Sequence, residues 1–442
     1  MKFRFLPVSL VALVFIFSSC QKEDIPSAPQ STQQGAAAAD FTRYISVGNS
    51  ITAGYSNGGL YNGGLFLEGQ QVAYPFLIAT QMKSAGGGNF FQPLFPAEQA
   101  NGSGYLRLDG VKPDGTPNIV PVTDKLAIRG TVTIPGFGPV TLYTKYTGDL
   151  NNYGVPGLKL QQITSPLIGN LNPYFERLLP GNAGTNTTSY LDFVTAKPFT
   201  FFSNWLGNND VLGYATSGGE GDVLTDSIQF AGLYALLLSN LTKNGAGGVI
   251  ATIPDVTVLP YLNTVTVQAL KVAVSRITAA NIYISALEPA TGKYVARAAT
   301  DADLIGLTFN AGSLGQVVNG MPGYGITLSN PIASKEVLDA AETALARQYV
   351  GAYNRIIRSA STLYGLALFD SMDFLNKVKA GMVVDGVTVN ADFITGGVFS
   401  LDGVHLTPRG NALTANEFIK AINSKYNTTI PRLDVSAFKG VL

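Results

Sequence analysis

Four apolar, β-prone runs, each stopped by glycine or a short polar turn, constrain this chain more than any other feature. The first, residues 44–48, breaks into Asn49 and Ser50. The second, 198–206, carries Phe199, Phe201, Phe202 and Trp205 and ends in Gly207-Asn208-Asn209-Asp210. The others are 247–253 and 366–369. Helical patterns lie between them: 74–82, opened by Tyr74-Pro75; 226–243; and the Ala-, Glu-, Leu- and Arg-rich run 335–363. Strands alternating with helices predict an α/β fold, a three-layer α/β/α sandwich around a central, mostly parallel sheet. In such a sheet the carboxyl ends of the strands form the functional edge, so Ser50 and Asn209 fall where ligands bind. A lone Ser in a turn more often only hydrogen-bonds locally, so Ser50 needs support from elsewhere in the chain.

The remaining segments fit around that sheet as one domain over 41–442. Residues 89–149 read as a first insertion, with a β-hairpin over 126–145 around Pro135-Gly136-Phe137-Gly138-Pro139. Residues 257–334 read as a second, also with strand character; 264–284 fits strand or helix, and 306–330 is a Gly-rich loop. The stretch Asn152-Tyr153-Gly154-Val155-Pro156-Gly157 leads into an amphipathic run, 158–163, expected to be helical. Small residues ahead of a helix leave backbone N–H groups pointing outward, although a plain turn is the commoner use of such a stretch. Asp385-Gly386 marks a small hairpin over 381–389. Thr407 and Pro408 open a last helix running to about 423, and 426–442 is a tail expected to pack on the surface.

Composition excludes several classes. Lys plus Arg and Asp plus Glu both number 29, so no basic surface for nucleic acid is expected. A single Cys excludes an internal disulfide and a Cys-based zinc site, and a single His excludes clustered-His metal sites. No metal or organic cofactor is expected, and any mechanism that needs imidazole must use His405.

The first 19 residues have a basic start, an apolar run over 5–17 and then Ser18-Ser19 before Cys20. This is the pattern of a signal peptide, too short for an ordinary membrane span. Ser-Ser-Cys resembles the lipobox of bacterial lipoproteins, which implies lipid on Cys20 and a membrane partner through that anchor. Gln21-Lys22-Glu23-Asp24 resembles the short acidic signal that sends some Gram-negative lipoproteins to the cell surface. The expected location is therefore the outer membrane or cell surface, with 20–40 as a Pro-, Gln-, Ser- and Ala-rich tether.

Gly48-Asn49-Ser50, Gly157 after Asn152, Gly207-Asn208-Asn209-Asp210 and Asp402-Gly403-Val404-His405 together resemble the four blocks of the SGNH (GDSL-type) hydrolases, in that family's order. The resemblance covers about 41–423, interrupted by the two insertions. It implies a flavodoxin-like sheet, Ser50 as nucleophile, His405 as base and Asp402 as the carboxylate that orients it. It also implies an oxyanion hole from the backbone N–H of Ser50, the backbone N–H of Gly157 and the side-chain amide of Asn209. Gly154 competes with Gly157 for that role, with the spacing from Asn152 favouring Gly157; Asp210 is expected to be structural. The chemistry requires such a set: a hydroxyl is a weak nucleophile until a base takes its proton, and imidazole suits neutral pH. Two positions depart from the family pattern: Asn49 stands where Asp is usual, and Leu406 where Pro often follows the His. The lipase pattern Gly-x-Ser-x-Gly is absent around Ser50.

The expected function is an exported, lipid-anchored serine esterase acting on an acylated glycan, a lipid or a small ester. A glycan- or lipid-binding lipoprotein without catalysis is the rival class; its mark would be loss of Ser50, His405 or Asn209, all of which are present. A transacylase would share every one of these residues.

Overall fold

The computed structural model describes residues 39–63, 68–113, 115–275 and 281–441. The expected signal peptide, Cys20 and nearly all of the tether lie outside the described residues. The chain begins with β1 (Tyr44–Gly48), buried along its whole length, and turns through α1 (Ser50–Ala53) toward α2 (Tyr74–Met82). Two hairpins follow, β2 with β3 (Tyr105–Val111, Pro117–Val122) and β4 with β5 (Ile128–Ile134, Gly138–Tyr143). β6 (Asn152–Gly154) then leads through the short helices α3 (Ile168–Leu171), α4 (Pro173–Glu176) and α5 (Tyr190–Thr195) to β7 (Phe201–Trp205). Next come α6 (Asn209–Thr216), α7 (Ser227–Thr242) and β8 (Gly247–Ala251).

A second irregular region holds α8 (Pro260–Asn263), α9 (Val267–Ser275), β9 (Tyr283–Glu288), β10 (Lys293–Ala298), β11 (Leu304–Ile305) and β12 (Val337–Leu338). It has a small core of its own, including Leu270, Ile284, Ile305 and Ile332. The chain closes with α10 (Ala340–Leu363), β13 (Ala367–Phe369), α11 (Ser371–Ala380), the hairpin β14 (Met382–Val384) and β15 (Val387–Val389), and α12 (Pro408–Tyr426).

The central sheet is parallel throughout, in the order β13-β8-β7-β1-β6. Counted along the chain, the five strands lie 2-1-3-4-5, the flavodoxin-like order, with its switch point between β1 and β7. Gly48 pairs with Gly154 on one side and Trp205 on the other, so β1, β6 and β7 end level. Their three outgoing turns therefore share one edge. Helices cover both faces. On one, Tyr74 of α2 stacks on Phe418 of α12 at 4.8 Å, and Phe418 meets the edge of Trp205. On the other, Phe230 of α7 stacks on Tyr353 of α10 at 4.0 Å.

Several local expectations change. The helix expected over 158–163 is a single 3-10 turn, Leu160–Gln162, whose leading N–H groups, those of Leu160 and Gln161, are taken by Asp210, and Pro166 follows too soon for a longer helix. The long helix begins at Ala340, not near 335. Asp339 caps it in a reciprocal box with Glu342, while Val337 and Leu338 pair with β11. The ambiguous stretch 264–284 splits into helix α9 and the start of β9. The last helix runs on to Tyr426 and stops where Asn427 turns left-handed. The tail buries Ile430, Leu433 and Val435.

Candidate active site

Gly48 is the pivot that delivers Ser50. A Cβ there would lie 1.9 Å from Thr52 Oγ1, so only glycine allows β1 to turn straight into α1. Ser50 is the first helical residue and 6% exposed. His405 comes from the loop ahead of α12, which Thr407 caps by accepting from the Gly410 N–H. Its Nε2 stands 2.8 Å from Ser50 Oγ, and its Nδ1 stands 2.9 Å from Asp402 Oδ2. Ser50, Asp402 and His405 are thus brought together as one hydrogen-bonded line.

The carboxylate is strongly tied. Its Oδ1 accepts from the backbone N–H groups of Val404 and His405 at 2.9 and 2.8 Å and from Ser400 Oγ at 3.1 Å. Its Oδ2 accepts from Gly58 N–H at 2.7 Å. Burial alone would raise this carboxyl, but the imidazole beside it and the converging N–H groups outweigh burial and hold it well below the usual range. An ionised Asp402 only accepts, so Nδ1 carries the proton and donates to it. Nε2 then presents its lone pair to the Ser50 hydroxyl.

The sequence candidates for the oxyanion donors border the same cavity, a trough of about 520 Å³. The N–H groups of Ser50 and Gly157 have no acceptor in the protein among the described residues. Gly157 is exposed, with φ +79°. Asn209, first residue of α6, gives one amide hydrogen to Leu158 O at 3.0 Å, which leaves the second for the trough. Gly154 is separate from this group. Its N–H is bonded to Asn152 Oδ1 at 3.0 Å, and a Cβ on it would lie 2.2 Å from the Ala53 nitrogen. Its smallness serves the close approach of β6 to α1. Asp210 binds the turn after Gly157 and Thr225 Oγ1, and burial raises its carboxyl. It joins the Gly157 and Asn209 segments and does not enter the trough.

Other residues of the site escaped the sequence reading. The loop after α1 zips to the Asp402–His405 loop through four bonds. Ser56 Oγ donates to Leu406 O, Asn57 N–H to Ser400 Oγ, Leu401 N–H to Asn57 Oδ1 and Gly58 N–H to Asp402. Asn57 and Gly58 have φ of +51° and +75°. Their Asn-Gly pairing was the available signal, since those residues tolerate the left-handed region. The second irregular region grips the other side of this loop. Tyr261 N–H donates to Gly403 O at 2.9 Å, and a Cβ on Gly403 would lie 2.8 Å from the Tyr261 nitrogen. The Leu406 departure is absorbed by an antiparallel bridge between Phe399 and Leu406.

Aromatic rings line one wall. Tyr55 lies 4.7 Å from the His405 ring, meets Tyr174 edge-on at 6.1 Å, and Tyr174 in turn contacts Tyr143 of β5 at 5.0 Å. Burial, with the nearby Asp402 charge, pushes the Tyr55 hydroxyl up to about 12. The group stays protonated and donates to Gly58 O. A second cavity of about 560 Å³, between α11, α12 and the β14–β15 hairpin, is lined by neither Ser50 nor His405.

No protein-family model matches the chain, nor does any curated protein. Solved structures that match include an alpha/beta hydrolase from the metagenome of Lake Arreo, Spain. It is 12% identical, with 89% of this chain and 100% of that one covered and a TM-score of 0.37. A mutant of an acetyl-xylooligosaccharide esterase from Geobacillus stearmophilus is 10% identical, with 90% and 99% covered and a TM-score of 0.36.

Proposed function

We propose that this chain is a serine ester hydrolase of the SGNH type. The observation that carries it is the line Ser50–His405–Asp402 at 2.8 and 2.9 Å, opening into a trough that also presents Ser50 N–H, Gly157 N–H and the Asn209 amide. In the first half-reaction Ser50 Oγ bonds to the ester carbonyl carbon as its proton passes to His405 Nε2. Asp402 holds the imidazolium by its charge. The carbonyl electrons move onto oxygen, which the three donors receive; a single donor of this kind contributes about 10²–10³ in kcat. The C–O bond to the alcohol then breaks, and His405 returns the proton to the leaving oxygen. In the second half-reaction water repeats the sequence on the acyl-Ser50 ester and releases the acid. The chain's own groups handle every proton and charge, so the reaction needs no cofactor.

We extend the proposal to location: Cys20 carries the lipid that holds the enzyme on the outer membrane or cell surface. Cys20→Ala should move the protein out of the membrane fraction, and retention there would sink the anchor. The catalytic proposal is tested by hydrolysis of p-nitrophenyl esters by the purified chain beside Ser50→Ala, with fluorophosphonate labelling in parallel. Turnover and labelling that both vanish in the variant are expected. Equal turnover in the two proteins would remove Ser50 from the mechanism.

A further inference from the structure

Three directions leave the reacting carbonyl carbon, and the residues around Ser50 assign each of them. The carbonyl oxygen faces the donors on Ser50, Gly157 and Asn209. The leaving oxygen must lie within reach of His405 Nε2, because His405 returns a proton to it. Tyr55, with its ring 4.7 Å from His405, therefore borders the alcohol side. The acyl chain takes the rest of the trough, whose lining includes Leu212 of α6 and Ile168 and Leu171 of α3. Leu212 follows Asn209 by three residues on α6 and so shares its face. Ile168 and Leu171 are likewise three apart on α3, and all three side chains border the trough half-buried. Leu167, next to them, is 43% exposed.

The polar residues on this side are neutral amides, partly engaged elsewhere. Asn172 gives its amide N–H to Pro156 O at 2.7 Å, and its oxygen caps α4 through Tyr174 and Phe175. Gln162 turns its oxygen to Lys159 N–H. No Lys, Arg, Asp or Glu is among the described residues lining the trough. A carboxylate or phosphate on the acyl part would lose its water and gain no charged partner. At about 520 Å³ the trough, which takes both the acyl and the alcohol part, is of the size that binds drug-sized ligands, and an acetyl group would leave the apolar side chains of α3 and α6 uncovered.

We propose that the acyl group is a neutral aliphatic chain well longer than acetyl, lying on Leu212, Ile168 and Leu171. The proposal rests on the Ser50 esterase reading and narrows it. The test holds the alcohol fixed and varies the acid: kcat/KM of the purified full chain on p-nitrophenyl acetate, butyrate and octanoate, and on the octanoate analogue with a terminal carboxylate. Octanoate should exceed acetate by at least about tenfold, given about fourfold for each methylene fully buried. The terminal carboxylate should reverse most of that gain. Leu171→Asp should cut the octanoate-to-acetate ratio about tenfold, with Ile168→Asn as a second variant should the first fold poorly. Rates of Ser50 labelling by octyl and methyl fluorophosphonates give a second readout that needs no turnover. A flat length dependence in either readout, or a ratio unchanged in both variants, overturns the acyl strip and leaves the nucleophile standing. Absence of both labelling and turnover overturns the strip and the esterase together.

Discussion

Gly58 donates its backbone N–H to Asp402 Oδ2 at 2.7 Å, joining loops 344 residues apart. The same oxygen accepts from His405 Nδ1, so the loop that follows Ser50 helps to aim the His405 ring. A bond of this type fixes the carboxylate without lending it a proton, as orientation of the imidazole requires.

Asn57 holds that junction in place. Its left-handed backbone suits Asn better than Ala, and its side-chain oxygen takes the Leu401 N–H at 3.0 Å. Asn57→Ala should lower kcat/KM about tenfold, a loss of about 1.4 kcal/mol in transition-state stabilisation. Asn57→Gly, which keeps the backbone freedom and loses only the side-chain bonds to Leu401 and Tyr61, should fall between it and wild type. Steady-state kinetics on one ester decides this. Equal activity in all three proteins would leave Asn57 without a part in positioning.

Asn209 should act on the transition state more than on binding. Asn209→Ala removes the amide hydrogen left over from the Leu158 bond, and kcat should fall about 10²–10³ with KM little changed. A rise in KM at constant kcat would mean that Asn209 only binds substrate.

The two glycines after β6 should respond differently to the same substitution. Gly154→Ala forces a methyl to 2.2 Å from the Ala53 nitrogen, so the loss should appear as a lower Tm. At Gly157 the nearest atom to an added Cβ is 3.6 Å away, but φ is +79°. Gly157→Ala should therefore disturb one donor, lowering kcat with the smaller change in Tm. Melting curves and kcat measured on both variants check the pair, and the opposite pattern would exchange their roles.

Glu342 should make stability depend on pH. Burial, together with the charges of Asp339 and Glu220, pushes its carboxyl up to about 7 from an ordinary 4.5. Between those values the folded chain holds a proton that the unfolded chain has released. This group's contribution therefore falls as pH rises through the window, and its penalty is complete above it. Glu342→Gln cannot titrate. Relative to wild type, its Tm should improve between pH 5 and pH 8, measured by calorimetry at both. A constant offset would show that Glu342 does not titrate there.

The residues of the central line were legible because each sits in a short local pattern beside a strand end or helix cap. Ser50 follows a strand that stops at glycine, and Asp402 and His405 precede a Thr-Pro helix start. What surrounds them was not legible, because the partners are remote in sequence. The Asn57–Leu401 and Tyr261–Gly403 bonds have no counterpart in any window of neighbouring residues. The 158–163 segment shows the same limit within the fold. Its amphipathic spacing suits a helix, but only one turn forms, its leading N–H groups held by Asp210, some fifty residues on, with Pro166 just beyond it. The hairpin of β2 and β3 escaped because Pro117 and Pro121 interrupt its alternation. The start of α10 was misplaced because Lys335 and Glu336 continue a helical composition that Asp339 caps only later.

Ser50 and His405 are 355 residues apart in the chain, and α12 must dock against the sheet before they meet. During synthesis the serine emerges early, attached to a strand whose neighbours do not yet exist. Through most of translation it is an ordinary alcohol, without base or carboxylate. Contacts of such long range also form late and slowly. A fragment cut short anywhere before residue 405 would therefore carry Ser50 without its imidazole partner. On the proposed mechanism, reactivity at Ser50 therefore waits until the last helix has docked.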